Sequence, residues 1–151
     1  MLTIPPLLLP ILLILLVPVH QAGVFPVRMP LVEHTVEEVY LCTQVYIGQD
    51  RQYWLTGFQP TVNPSTVHHM VLALCNTNPM AEDAKVWNCG QGGAPLQPGL
   101  PHSTTCVSGA LGSRSVYAWA DGGQEYHLPP DTGVPVGQHT QYQYLVLQVS
   151  A

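Results

Sequence analysis

Two adjacent histidines, His68 and His69, are the residues whose side chains most directly suggest chemistry. Neutral imidazole is the commonest protein ligand for copper and zinc, so two neighbouring rings could share one ion. On a regular strand, however, neighbouring side chains point to opposite faces. Both rings reach one metal only if the backbone bends there or if the pair lies where a strand begins. Pro64 and Ser65, just upstream, favour a strand start.

Taken alone, a His-His pair is a weak motif. Two ordinary histidines, one inward and hydrogen-bonded and one exposed, also explain it. Four other histidines lie in turn-like segments and are expected to be solvated: His34, His102, His127 and His139. Three methionines are soft copper ligands in principle, but core or surface positions are expected for them: Met29, Met70 and Met80.

The length and composition limit the classes of protein that fit. The chain has 151 residues, enough for one small domain. Its formal net charge is −5 with four Lys and Arg residues, which excludes a nucleic-acid surface because that needs clustered positive charge. Charged residues are 9% of the chain, whereas Pro (15) and Gly (13) are frequent, and this balance favours a compact all-β domain with many turns.

An apolar leader precedes the rest of the chain. Residues 7–17 are almost purely apolar, which is short of the roughly 20 residues that a membrane span needs. Small residues follow at Ala22 and Gly23. The pattern predicts a signal peptide over residues 1–22 and a mature domain over residues 23–151, secreted or in the lumen of secretory vesicles. A retained anchor is the alternative; after cleavage no stable membrane span is expected.

Four cysteines lie in the predicted mature part. In an oxidising compartment an even set of this kind usually forms disulfides, and four cysteines allow three pairings among which spacing cannot choose. A zinc site is the alternative, but the sequence has no Cys-x-x-Cys pair to support it. The cysteines are Cys42, Cys75, Cys89 and Cys106.

Short alternating runs predict strands separated by turns. The stretch 90–101, rich in Gly, Pro and Gln, predicts a long exposed loop. The pattern favours an antiparallel β-sandwich or jelly roll. The last run is expected at a sheet edge or without its neighbours, where an unpaired apolar edge promotes aggregation. The five predicted strands cover residues 40–47, 53–58, 67–75, 115–120 and 142–149.

Several motifs occur in a fixed order along the mature chain: Val-Arg-Met-Pro at 27–30, Thr-Val-His-His-Met at 66–70, Val-Trp-Asn-Cys at 86–89, Tyr-Ala-Trp-Ala at 117–120 and Leu-Val-Leu-Gln-Val at 145–149. This ordered set resembles the copper type II, ascorbate-dependent monooxygenases, and looks most similar to their peptidylglycine α-hydroxylating members. The resemblance covers nearly the whole mature chain. It implies a fold of two jelly-roll domains with one copper each, of which this chain is an incomplete first domain.

The resemblance also implies an activity and its site residues. His68 and His69 match two of the three histidines that hold the electron-transfer copper. The implied reductant is ascorbate, and the implied substrate is a glycine-extended peptide, hydroxylated at the glycine α-carbon on the way to an amide. Gln148 matches a glutamine that faces the solvent cleft between the two coppers. The implied disulfides are Cys42–Cys89 and Cys75–Cys106.

The sequence departs from the family pattern at one position that matters for copper. The third histidine should directly follow Val149, where this sequence has Ser150. The second domain, which carries the catalytic copper, does not follow. The chain is therefore expected to contain no catalytic residue, to be inactive alone as a truncated form, and to bind copper weakly at His68 and His69. The alternatives are a non-catalytic secreted copper-binding or decoy β-sandwich, and a fragment that does not fold stably.

Overall fold

The structure, a computed structural model, describes residues 23–80, 84–90, 93–106, 113–120 and 122–151. Every regular element in these residues is a β-strand, and every strand pair is antiparallel, which confirms the all-β prediction. Within the same residues, no helix has the length and apolarity needed to cross a membrane. The predicted signal peptide, residues 1–22, lies outside the described residues. The strands are β1 (Tyr40–Tyr46), β2 (Gln52–Leu55), β3 (Gly57–Phe58), β4 (His69–Cys75), β5 (Trp87–Asn88), β6 (Ser113–Ala120), β7 (Tyr126–His127), β8 (Val134–Gly137) and β9 (Tyr144–Ser150).

The main sheet has five strands in the order β5-β1-β9-β4-β6. Strand β9 pairs along its whole length with β1 on one side and with β4 on the other. The prediction that this run lies at a sheet edge or lacks its neighbours was therefore wrong. Both backbone edges of β9 are satisfied by sequence-distant strands, and its central side chains Leu145 and Val146 are buried.

Two short strand pairs, β2 with β8 and β3 with β7, lie outside the main sheet. Residues 53–58 were predicted as one strand, but the structure divides them between β2 and β3. The division falls at Thr56, whose carbonyl accepts a hydrogen bond from the N–H of Leu128 at 2.8 Å. The chain changes partner at this point, because β2 pairs with β8 whereas β3 pairs with β7.

Alternation of side chains along β9 divides the core into two faces. On one face, Val146 is fully buried in a cluster with Trp87 and the four cysteines. On the other face, Leu145 packs with Leu74 of β4 and Val136 of β8. Burying one side chain of this kind stabilises the fold by about 1.5–3 kcal/mol. The face that carries the cysteines is also the face that carries His69.

The segment after β5 was predicted to be an exposed loop, and it is exposed only in part. Gln97 is buried, because the amide of Asn88 binds its backbone. The Asn88 side chain accepts the N–H of Gln97 at 2.7 Å and donates to its carbonyl at 3.0 Å. The Gln97 side chain in turn accepts the N–H of Thr35 at 2.9 Å. Buried polar groups need partners, and this network supplies them for a segment without regular structure.

Candidate metal centre

The histidine pair lies where β4 begins. A turn precedes it, in which the carbonyl of Asn63 accepts the N–H groups of Thr66 and Val67 at 3.1 and 3.2 Å. His68 stands just before the strand, and His69 is its first residue. The pair is therefore at the strand start that the sequence analysis required, where the strict alternation of a strand has not yet begun. The N–H of His68 donates to the carbonyl of Ser150 at 2.8 Å and fixes the entry to β4.

Three neighbouring strands surround His69. Its register partners are Ser150 on β9 and Ala120 on β6, so both flanking side chains are small. Beyond Ser150, β1 contributes Tyr40, whose ring centroid lies 5.6 Å from that of His69 with the planes inclined at 56°. The His69 side chain is half-buried, whereas His68 is exposed. One imidazole is thus packed against an aromatic ring while the other faces solvent.

The other candidate ligands lie elsewhere. Within the ranges that the structure describes, no three or more His, Cys, Asp or Glu side chains are grouped so that they could hold a metal ion. The four remaining described histidines are exposed, as expected, and His127 is paired with Glu125 at 2.6 Å. Met80 is buried with the disulfides, and Met29 packs against the cluster around Val39.

The cysteines form two disulfides on the face of the sheet that carries His69. Cys42 of β1 is joined to Cys89, which follows β5, and Cys75 of β4 is joined to Cys106. The Cα atoms are 5.8 and 5.6 Å apart, within the usual range for a disulfide. This is the pairing that the family resemblance implies, and it fastens the segment between β4 and β6 over one face of the sheet.

Gln148 lies on the same face of β9, two residues before Ser150. Its side-chain amide donates to the hydroxyl of Thr105 at 3.1 Å and approaches the carbonyl of Cys89 at 3.5 Å. The side chain is half-buried and links β9 to the disulfide-bonded segment. The resemblance matches it to a glutamine facing a solvent cleft, and that role stays a prediction; within the described residues its amide contacts this covering segment.

Sequence reasoning missed two residues near the site. The sequence could have indicated Tyr40, because it is two positions before Cys42 on a predicted strand and must therefore lie on the same face as Cys42. Nothing in the sequence indicates Thr105, because it lies in an irregular segment that the second disulfide brings into contact with Gln148.

Residues 25–150 match the N-terminal domain of the family described as copper type II ascorbate-dependent monooxygenases. The chain belongs to this family. Peptidyl-glycine alpha-amidating monooxygenase A of Xenopus laevis is 32% identical over 123 residues, which are 82% of this chain and 11% of that protein. Peptidylglycine alpha-amidating monooxygenase of Rattus norvegicus is 31% identical over 123 residues, with the same shares of 82% and 11%. The chain thus spans about a tenth of the length of these curated relatives.

Copper and ascorbate are the cofactors of this monooxygenase family. The donor chemistry of the histidine pair fits copper, because imidazole nitrogens are good ligands for it. The disulfides leave no free thiol among the described cysteines that would compete for the ion. His68 and His69 are therefore the residues with which copper binding by this domain should be tested.

Proposed function

We propose that the chain is a copper-binding domain of a secreted peptidylglycine-hydroxylating monooxygenase, in which His68 and His69 hold the copper that transfers electrons. The observation that carries the proposal is the position of the pair at the start of β4, with His69 packed beside Tyr40. Family membership and the likeness to two peptidylglycine amidating monooxygenases support it. The two disulfides support the secretory location, since such bonds persist in oxidising compartments.

In this proposal the chain's own residues bind the copper ion and orient the two imidazole ligands. Bound copper supplies one-electron transfer from ascorbate. The backbone hydrogen bond from His68 to Ser150 fixes the main chain between the two imidazoles. Contact with Tyr40 limits rotation of the His69 ring, so one ligand is held before the ion arrives. Preorganisation of this kind reduces the entropy that binding must overcome.

The proposed substrate of the whole enzyme is a peptide ending in glycine, hydroxylated at the glycine α-carbon. For the 151-residue chain alone we propose copper binding without turnover, because no three His, Cys, Asp or Glu side chains of its described residues are grouped so that they could form a further metal centre. A non-catalytic secreted copper-binding or decoy protein is the second candidate. This candidate is favoured by the main sheet, because β9 pairs with β1 on one side and with β4 on the other and so has no unpaired backbone edge within the described residues.

Copper titration of the oxidised protein tests the proposal. The natural chain is expected to bind one copper, and the variant His68→Ala with His69→Ala to bind it at least about tenfold more weakly. His102→Ala with His139→Ala is the matched control, because both of these side chains are exposed and lie outside the pair. Equal affinity in all three proteins would contradict the proposed site.

A second assay tests the absence of turnover. The purified chain is incubated with copper, ascorbate, oxygen and a glycine-extended peptide, and the hydroxylated product is measured by mass spectrometry. No more product is expected than free copper ions form under the same conditions without the protein. Product formation that disappears in the His68→Ala, His69→Ala variant would show that this chain is catalytic by itself.

A further inference from the structure

A cavity of about 360 Å³ lies in the segment that follows β5, outside the histidine pair. Its described lining includes Gly90 and Ala94 from the first part of the segment and residues 102–104 from its end. The chain between these parts is fixed by the buried amide of Asn88, which donates to two backbone carbonyls at 3.0 and 3.1 Å. A cavity of this volume is near the lower end of the range for small-molecule sites, so it suits a compact ligand.

Two side-chain hydroxyls of the lining have already committed their protons. Ser103 donates through Oγ to the carbonyl of Pro79 at 2.7 Å, and Thr104 donates through Oγ1 to the carbonyl of Cys106 at 2.7 Å. A carbonyl oxygen can only accept, so the lone pairs of each hydroxyl oxygen are what remains for a ligand. The cavity therefore favours a ligand that brings hydroxyl donors of its own.

The imidazole of His102 adds a donor to these acceptors. His102 lines the cavity with an exposed side chain, and its Nε2 lies 3.5 Å from the carbonyl oxygen of Gly90. A contact of that length is a weak hydrogen bond, so the ring can turn an N–H group toward a ligand at little cost. The lining thus combines hydroxyl acceptors with an imidazole donor that can meet an anionic oxygen.

Packing contacts connect the cavity to the histidine pair. A Cβ atom added at Gly90 would lie 2.6 Å from the Cβ of Ala94 and 3.3 Å from the Cβ of Tyr40, so this part of the lining packs directly against Tyr40. The ring of Tyr40 in turn lies beside His69, with 5.6 Å between the ring centroids. One aromatic side chain therefore connects the lining of the cavity to the imidazole of His69.

We propose that this cavity binds ascorbate, the reductant on which the family depends. The inference rests on the proposed copper site and specifies where the reductant of that site is held. Ascorbate is a compact ring with an anionic enediol and a side chain that carries hydroxyls. Its hydroxyls donate to the oxygens of Ser103 and Thr104, and an enediol oxygen accepts a hydrogen bond from His102. A reductant in this cavity is held beside the wall that packs against Tyr40.

The experiment measures ascorbate binding without copper. Ascorbate is titrated into the 151-residue chain with its disulfides intact, in the absence of oxygen and with a chelator present, and the amide signals are followed by nuclear magnetic resonance. Saturable shifts are expected at the amides of residues 93–94 and 102–104. His102→Ala and Thr104→Val are each expected to weaken binding about fivefold, because each removes one hydrogen bond to the ligand.

Matched controls carry the same substitutions outside the cavity. His139→Ala and Thr132→Val change exposed side chains, and Thr132 also donates its hydroxyl proton to a carbonyl, that of Pro129 at 2.6 Å. Both controls are expected to bind ascorbate as the natural chain does. Sorbitol is the ligand control, because it has hydroxyls but no enediol, and it is expected to bind at least about tenfold more weakly than ascorbate.

The outcomes separate this inference from the proposed function. If copper binds at the histidine pair but ascorbate gives no saturable shifts, the copper site stands and the ascorbate site is refuted. The ascorbate site is also refuted if His102→Ala and Thr104→Val bind ascorbate as tightly as the two controls do, or if sorbitol binds as tightly as ascorbate. If ascorbate binds as expected while copper does not distinguish the natural chain from the His68→Ala, His69→Ala variant, the copper site is refuted and the cavity remains an ascorbate site.

Discussion

The disulfide Cys42–Cys89 should contribute a large share of the stability of this domain. It links residues 47 apart in sequence, and the chain-entropy relation for a loop of that length gives about 4 kcal/mol in the free energy of unfolding. Small domains are stable by only about 5–15 kcal/mol in total. The variant Cys42→Ala with Cys89→Ala is therefore expected to lose about 4 kcal/mol, or to lose cooperative unfolding altogether.

The second bridge provides an internal comparison. Cys75–Cys106 spans 31 residues, so the same relation gives a value only about 0.4 kcal/mol smaller. The two loops overlap in sequence, because Cys75 lies between Cys42 and Cys89. Each bridge therefore restrains part of the chain that the other restrains, so each single loss is partly offset by the remaining bridge, and removing both should cost more than the sum of the two single losses.

Urea unfolding followed by tryptophan fluorescence measures these losses. Trp87 is fully buried in the cluster with the sulfur atoms and reports on that region directly. The alanine pairs are compared with the oxidised natural chain and with the same chain after reduction. If the variant Cys42→Ala with Cys89→Ala loses less than about 1 kcal/mol in the free energy of unfolding, the entropic reasoning is refuted, since a 47-residue link would then not restrain the unfolded chain.

Two further predictions concern a buried amide and an aromatic side chain. Asn88→Ala should lower the free energy of unfolding by roughly 2 kcal/mol, because it leaves the buried N–H of Gln97 without a partner; urea unfolding measures the loss, and an unchanged midpoint would contradict it. Burial raises the pKa of Tyr117 above its ordinary value, so the folded state favours the neutral phenol. That contribution is complete below the unfolded pKa of about 10 and is lost as pH rises through the folded pKa. Between about pH 9 and pH 11, the natural chain should therefore lose more stability than Tyr117→Phe, and parallel losses in urea midpoint would contradict the assignment.

Local pattern was sufficient to find the long strands. β1, β4, β6 and β9 all have runs of alternating side chains, and each was predicted to within a few residues. The two-residue strands β5 and β7 were missed, because two residues cannot display a period. The position of β9 was also missed, since alternation shows which face is buried but carries no information about which sequence-distant strands supply the backbone partners.

The candidate site was predictable in its chemistry and less so in its surroundings. The pair His68 and His69 was found from residue type, and the required strand start was inferred from Pro64 and Ser65. Contact between Tyr40 and His69 depends on β1 and β4 both lying beside β9, which only the three-dimensional arrangement establishes. The same arrangement brings Thr105 to Gln148 across 43 residues of sequence.

The position of β9 has a consequence for the order in which the molecule can form. β1 and β4 do not pair with each other; each pairs with β9, which follows the other eight described strands in sequence. During synthesis, all four cysteines and both histidines emerge before the strand that joins them. The halves β5-β1 and β4-β6 therefore cannot join until β9 inserts between them, and until then the backbone edges of β1 and β4 that face β9 are unpaired. Pairing over such long sequence separations is slow, so this interval is when the nascent chain depends most on disulfide formation and on chaperones that bind open strand edges.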